Sequence, residues 1–381
     1  MKNTADQKRL FMKKRVILLA GWLMVLAAVS SRVQAGDFRR IGVDYRSMAM
    51  GNTGIVSSTG SAALFYNPAA LSNVFSWRVD IVAAQATFSD SVFEGGDGAG
   101  VDNGDEALDL MSSYIGKNLY AQGSYSHSLV KNFSEKGLTF GVNITNETIG
   151  EFQIRNPSNP EISAFLRGDD IRQVGVSVPI GLGKLVVGVE YKTISRKELE
   201  FTYTTMQAIN NDPFPSLDEL SNKGSGGGYE IGFIYRTATA ARVMFGGVWR
   251  SDMDLSPASS IPAQLDLGVG LRQEYGEFRM LAALDLRDIT RQLGSEEKDP
   301  DDKSFNRRVH CGVEVGVFPR TKNTSWLSLR WGINQSYITY GAEIVLYDFI
   351  RIGYTDYTEE IGEWAGQKPS QRKTFFLAVG F

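Results

Sequence analysis

Fourteen segments of this 381-residue chain alternate apolar and polar side chains with a two-residue period, and no other feature restricts the possible folds as much. In the first half they run 77–88, 118–129, 137–148, 170–179, 184–195, 228–236 and 242–252. In the second they run 263–274, 277–289, 307–318, 325–334, 337–347, 348–357 and 372–381. The connections sort by parity. Those after even-numbered segments are brief, at 130–136, 180–183, 237–241, 275–276 and 319–324, and the twelfth and thirteenth segments abut at 347–348. Those after odd-numbered segments are mostly long, at 89–117, 149–169, 196–227, 290–306 and 358–371, with 335–336 as a short exception. Short turns at one end and long loops at the other characterise outer-membrane barrels, whose turns lie in the periplasm. A soluble sandwich or propeller has no reason for that asymmetry. The expected fold is all-β, a 14-stranded antiparallel transmembrane β-barrel.

Alternation also assigns the faces. Leu185, Val187, Val189 and Tyr191 alternate with Glu190 and Lys192, and Leu265, Leu267, Val269 and Leu271 with Asp266 and Arg272. Val309, Cys311, Val313, Val315 and Val317 alternate with His310 and Glu314. A charge on the lipid face costs about 2–4 kcal/mol at the midplane, so the charged set faces the lumen. Trp77, Phe278, Trp326, Tyr235 and Phe381 then fall at the periplasmic interface, with Tyr191 and Trp249 at the outer one, as aromatic belts require. The last segment, RKTFFLAVGF, places Phe375, Leu377, Val379 and Phe381 on one face and Phe376 as the single bulky residue on the other. Such a strand needs a partner, and closure of the barrel supplies one. Phe381 is the expected handle for barrel-assembly machinery, and outer-membrane lipid the expected surroundings.

Residues 1–35 read as a cleaved export signal. Lys8, Arg9, Lys13, Lys14 and Arg15 precede an uncharged apolar run of 14 residues, Val16 to Val29, and Val33-Gln34-Ala35 offers small residues at the cleavage positions. A membrane-spanning helix needs about 20 such residues. Met12 is an alternative start. Loss of the leader removes seven basic residues and one acidic residue, so a net charge of −3 becomes −9, which gives nucleic-acid binding no electrostatic support. The single Cys311 excludes an internal disulfide, and two histidines, His127 and His310, exclude a His-rich metal site. No metal or cofactor is expected. A catalytic set that needs histidine is equally short of parts, and the chain is not expected to be an enzyme. His310 and Glu314 share a face, where a structural lumen hydrogen bond is the favoured reading.

Residues 36–76 differ in texture from both leader and barrel, being rich in Gly, Ala and Ser with short helical pieces at 61–65 and 68–71. Fourteen strands leave a lumen wide enough to leak, and some forty small residues are a suitable filling. Pro68 suits a first helical position and Asn67 the N-cap before it. Arg46-Ser47-Met48-Ala49-Met50-Gly51, followed by Ala63-Leu64-Phe65-Tyr66-Asn67-Pro68-Ala69-Ala70-Leu71, resembles the amino-terminal signature of the long-chain fatty-acid transporter (FadL) superfamily, which PorV/PorQ-like secretion and surface proteins share. The resemblance implies an N-terminal hatch (36–76) that plugs the lumen of the barrel (77–381), with Asn67, Pro68 and Ala69 as the hatch motif. It also implies passive uptake of a hydrophobic small molecule, such as a long-chain fatty acid, and a sideways exit through the wall. The alternative is a PorV/PorQ-like partner that binds secreted or surface proteins. This chain has Gly51-Asn52 where many relatives have Gly-Gly, a change that asparagine's tolerance of positive φ accommodates.

Several other features bear on a ligand. Arg250, Arg272 and Arg330 are candidates to meet a ligand carboxylate, set against a bracing role within the interleaved lumen charges. Leu108, Met111 and Ile115 lie on an amphipathic stretch, 105–115, expected as a short helix near the outer mouth that either catches an apolar solute or merely caps the loop. The acidic run DGAGVDNGDE at 97–106 departs from the EF-hand pattern and reads as a solvated loop, and GSGGG at 224–228 as a flexible loop end.

Overall fold

The structure, a computed structural model, describes residues 41–94, 114–133, 137–155, 161–181, 184–204, 207, 222–238, 242–290, 305–320, 324–361 and 368–381. The leader, the acidic run, Leu108 and Met111 lie outside them. The described residues form fourteen strands in one closed antiparallel barrel, each paired with its sequence neighbours. The first seven are β1 Trp77–Ser89, β2 Asn118–Phe133, β3 Leu138–Arg155, β4 Glu161–Ile180, β5 Leu185–Thr204, β6 Asn222–Arg236 and β7 Val243–Arg250. The remainder are β8 Gln264–Tyr275, β9 Phe278–Leu286, β10 Val309–Pro319, β11 Ser325–Asn334, β12 Tyr337–Leu346, β13 Ile350–Glu360 and β14 Pro369–Gly380.

Closure comes from β14 pairing with β1, so the terminal strand has a neighbour on both sides. At that seam the Thr87 and Thr374 hydroxyls are 2.8 Å apart, and the Phe381 amide donates to the Val79 carbonyl at 2.9 Å. The pairing shifts register in β1 between Asp80 and Ala83. Ile81 and Val82 both face outward there.

The outward side chains form an apolar band with aromatic rims. Trp77, Tyr235, Phe278, Trp326 and Phe381 are exposed at the turn end, Tyr191, Tyr229 and Trp249 toward the loop end, and Val189, Ile231, Phe233, Phe245 and Leu267 between them. Inward-facing Glu190, Glu230, Asp266, Asp285, His310 and Arg330 are buried. A closed sheet with its charges inside and its apolar side chains outside is an outer-membrane barrel. Leu271 faces outward yet is buried, because Val243 and Ala282 flank it on the adjacent strands.

Three sequence readings need correction. Much of 149–169 and parts of 196–227 are strand rather than loop, since β3 to β6 continue toward the outer side. Ion pairs brace those extensions, with Arg167 3.0 Å from Glu147 and Arg196 2.8 Å from Asp169. Polar residues there hide the apolar–polar alternation by which the lower strands are recognised. Second, 224–228 is part of β6. Residues 251–263 fold back against it, and a Cβ on Gly224 or Gly226 would overlap the carbonyls of Leu255 and Asp254. Third, Ile115 forms an isolated bridge with Ile154 instead of closing a helix.

Candidate functional site

Residues 41–76 pack against inward side chains around the barrel. Asp44 caps the short helix α1, Tyr45–Ala49, its Oδ2 accepting from the Ser47 amide at 3.0 Å. The chain then turns through Gly51 and Asn52 at φ 67° and 64°, so asparagine does adopt the left-handed conformation there. Asn52 Oδ1 accepts from the Tyr66 hydroxyl at 2.7 Å and from Arg287 at 3.0 Å. Helix α2, Ala62–Tyr66, ends at Asn67, whose extended backbone starts a 3₁₀ turn over Pro68–Asn73.

Asn67 is fully buried and ties three pieces together. Its Oδ1 accepts from the Ala69 amide at 3.0 Å, as an N-cap should. Its Nδ2 donates to the Ile55 carbonyl at 2.9 Å and to the Phe233 carbonyl of β6 at 3.2 Å. Pro68 occupies the first position of the turn, where its missing N–H costs nothing.

Two glycine pairs form the seats for this segment. Gly188 and Gly232 lie directly opposite each other on β5 and β6. A Cβ on Gly232 would overlap Asn67 Oδ1, and one on Gly188 would overlap the Pro68–Ala69 peptide. On the other side of the lumen Gly312 and Gly332 are opposite each other on β10 and β11. Side chains there would overlap the Met50 carbonyl and the Gly51 amide. The sequence reading missed both seats. Their signal is glycine at the inward position of an otherwise apolar strand, as in Val187-Gly188-Val189 and Trp331-Gly332-Ile333, but strand register is needed to pair them.

Charged groups add a second set of anchors. Arg46 makes a two-pronged contact with Glu314, at 2.8 and 3.0 Å, and donates to the Ser57 carbonyl at 2.8 Å. Arg330 donates to the same carboxylate at 2.6 Å and lies 3.4 Å from Glu343. Asp285 accepts from the Gly54 and Ile55 amides at 2.7 and 3.0 Å. His310 Nδ1 donates to the Gly51 carbonyl at 3.0 Å, so the histidine holds backbone while Glu314 serves arginines. Arg250 donates to Glu230 at 3.1 Å and to the Tyr66 carbonyl at 2.6 Å, and pairs with Asp266. Arg250 and Arg330 therefore carry bracing roles, committed to carboxylates and to the inner segment. Arg272 lies elsewhere, near the turn end, 3.4 Å from Glu274.

On the loop side of these seats the lumen contains a patch of different chemistry. Ile171 and Ile194, paired across β4 and β5, are buried with Met253, Leu255 and Ala258, and Ile41, Phe65 and Ile261 pack against them. Met253 and Leu255 come from the 251–263 connection, which is folded inward. The cluster is filled by the chain's own side chains and is separate from the larger apolar contact of Ile55, Val56, Leu64 and Leu71 with Val130, Val186 and Ile234 of the wall.

No family model and no curated relative matches this chain. Solved structures do. The Ralstonia pickettii toluene transporter TbuX superposes with a TM-score of 0.54 at 14% identity, covering 90% of this chain and 99% of that one. The chain has the fold of the outer-membrane hydrocarbon channels. The P. putida toluene transporter TodX gives a TM-score of 0.50 at 14% identity over 90% of this chain and 98% of its own. The monoaromatic hydrocarbon channel CymD gives 0.50 at 13% over 91% and 99%. At such identities the likeness is one of fold, and it agrees with the resemblance read from residues 46–71.

Proposed function

We propose that this chain is a passive outer-membrane channel for hydrophobic small molecules, with residues 41–76 as the hatch that closes it. The observation that carries the reading is the buried apolar cluster around Ile171, Ile194 and Leu255. Apolar side chains on the loop side of the lumen give an uncharged solute a place to leave water, each fully buried aliphatic residue contributing about 1.5–3 kcal/mol. A solute would displace Met253 and Leu255, reach Phe65, and pass once the hatch shifts off its seats. The exit in this reading is the wall at β1, where the ladder shifts register beside Ile81 and Val82. A bulge leaves a residue unpaired and disrupts the ladder locally.

Long-chain fatty acids and monoaromatic hydrocarbons are the two ligand classes to test. The TodX and TbuX likenesses support the second and the motif at 63–71 supports the first. The test is uptake of labelled oleate and labelled toluene by proteoliposomes containing the full chain. Entry of either at several times the empty-vesicle rate is expected, with no steady ion conductance. A barrel that takes up neither, or that conducts ions continuously, sinks the proposal. The alternative of a secretion partner gains no support from these likenesses.

A further inference from the structure

The turn end of the barrel holds a feature that the uptake reading does not use. A cavity of about 500 Å³ opens there between the end of the inner segment and strands β6 to β8. Its charged lining is Arg236, Arg242, Arg272 and Glu274, three guanidinium groups to one carboxylate. A smaller cavity of about 30 Å³ shares Asn73, Met244 and Arg272 with it and adds Arg279 and the Arg46–Glu314 pair. Several arginines elsewhere in the lumen sit against acids: Arg250 has Glu230 and Asp266, Arg167 has Glu147 and Asp169, and Arg330 has Glu314 and Glu343.

At the turn end two of the arginines hold neutral groups. Arg236 donates to the Ser72 hydroxyl at 2.6 Å and to Asn73 Oδ1 at 2.9 Å. Arg279 donates to the Thr324 carbonyl at 2.9 Å and to the Ser325 hydroxyl at 3.1 Å. Glu274, 3.4 Å from Arg272, is half-exposed. The charge of this cavity is therefore positive among the described residues, and partial enclosure weakens the screening that water would give. The rest of the lining sets the apolar Val74, Phe75, Ala238 and Met244 beside the neutral polar Ser72, Asn73, Asn132 and Thr237. Phe75 is 53% exposed.

From this juxtaposition we propose that the turn-end cavity binds a small amphiphilic anion. The carboxylate or phosphate head sits among Arg236, Arg242 and Arg272, and the hydrocarbon body lies along Phe75 and Met244. The volume falls within the roughly 300–1,000 Å³ usual for small-molecule sites. Guanidinium groups suit both kinds of head, because they present paired donors to an oxyanion. Two sources would supply that chemistry on the periplasmic side: a free fatty acid, or the phosphate of a membrane lipid. The site does not depend on the uptake proposal, since an anion can bind here whether or not solutes cross.

The test is calorimetric titration of the full chain, in nonionic detergent, with dodecanoate, dodecyl phosphate and dodecanol below their aggregation limits. At least one anion is expected to bind about tenfold more tightly than the neutral alcohol, weakening as salt rises from about 50 to 500 mM. Arg242→Gln and Arg272→Gln are each expected to loosen that anion about tenfold while leaving dodecanol unchanged. A preference for dodecanoate identifies the free acid as the source, and a preference for dodecyl phosphate the lipid. Equal binding of all three probes overturns the proposal. So does anion binding that persists unaltered in the double variant, with heat-modifiable gel mobility verifying that the barrel is folded. Toluene entry into proteoliposomes of the wild-type chain tests the uptake proposal separately, so either can fail alone.

Discussion

Replacing Asn67 by alanine should release the inner segment and leave the barrel intact. The magnitude follows from three hydrogen bonds of a fully buried side chain. Loss of the cap on the Ala69 amide costs about 0.5–2 kcal/mol. The Ile55 carbonyl is left buried without this donor, at about 1–3 kcal/mol. Phe233 lies in the β6–β7 ladder, so the loss of its contact to Asn67 is counted as small. The sum, about 1.5–5 kcal/mol, bears on docking of 62–74 and not on the strand ladder. At 1.36 kcal/mol per tenfold, local opening becomes about 10- to 5,000-fold more frequent. Hydrogen exchange of the full chain in detergent reads this directly. The Ala69, Ala70 and Val74 amides should exchange faster by that factor, while those of Val187 and Ile231 stay as they were. Gly232→Ala should do the same from the wall side, because its Cβ would overlap Asn67 Oδ1. Unchanged exchange at Ala69 and Ala70 refutes the reasoning. Equal acceleration in segment and barrel refutes it too, since the two would then open as one unit.

Three further outcomes are expected. Glu314→Gln removes the carboxylate shared by Arg46 and Arg330, at about 3–5 kcal/mol for a broken buried pair. Intermittent conductance in planar bilayers should appear, and a variant as silent as the parent means the bridge is not an anchor. Leu255→Ala empties part of the apolar cluster, so a labelled hydrocarbon should bind several-fold more tightly by equilibrium dialysis. Weaker binding would show that Leu255 contacts the solute instead of competing with it. Leu267→Arg puts a charge on an exposed outward position and should cost about 2–4 kcal/mol of barrel stability, read by urea unfolding in lipid vesicles. Loss below about 0.5 kcal/mol would place that residue outside the hydrocarbon layer.

Particular residues show how far the sequence could be read. The eleventh segment, 325–334, coincides with β11, and the twelfth and fourteenth differ from β12 and β14 by a few residues at their ends. Asn67 and Pro68 were legible as a cap and a first position because capping is settled within three residues. The pairing of Gly188 with Gly232 was not legible, and neither was the approach of Arg46 to Glu314, 268 positions away. Arg250 and Arg330 looked open to a ligand carboxylate because their acids, although on adjacent strands, are matched to them only by strand register.

The sequence by itself determined the barrel, its strand number and which face meets lipid. Those follow from a two-residue period and from the cost of charge in hydrocarbon, both local properties. Only the tertiary structure decided which charges are already satisfied, where the wall yields room for backbone, and where positive charge gathers at the turn end. Each depends on distances across the lumen, which closure of the sheet sets and no stretch of sequence contains.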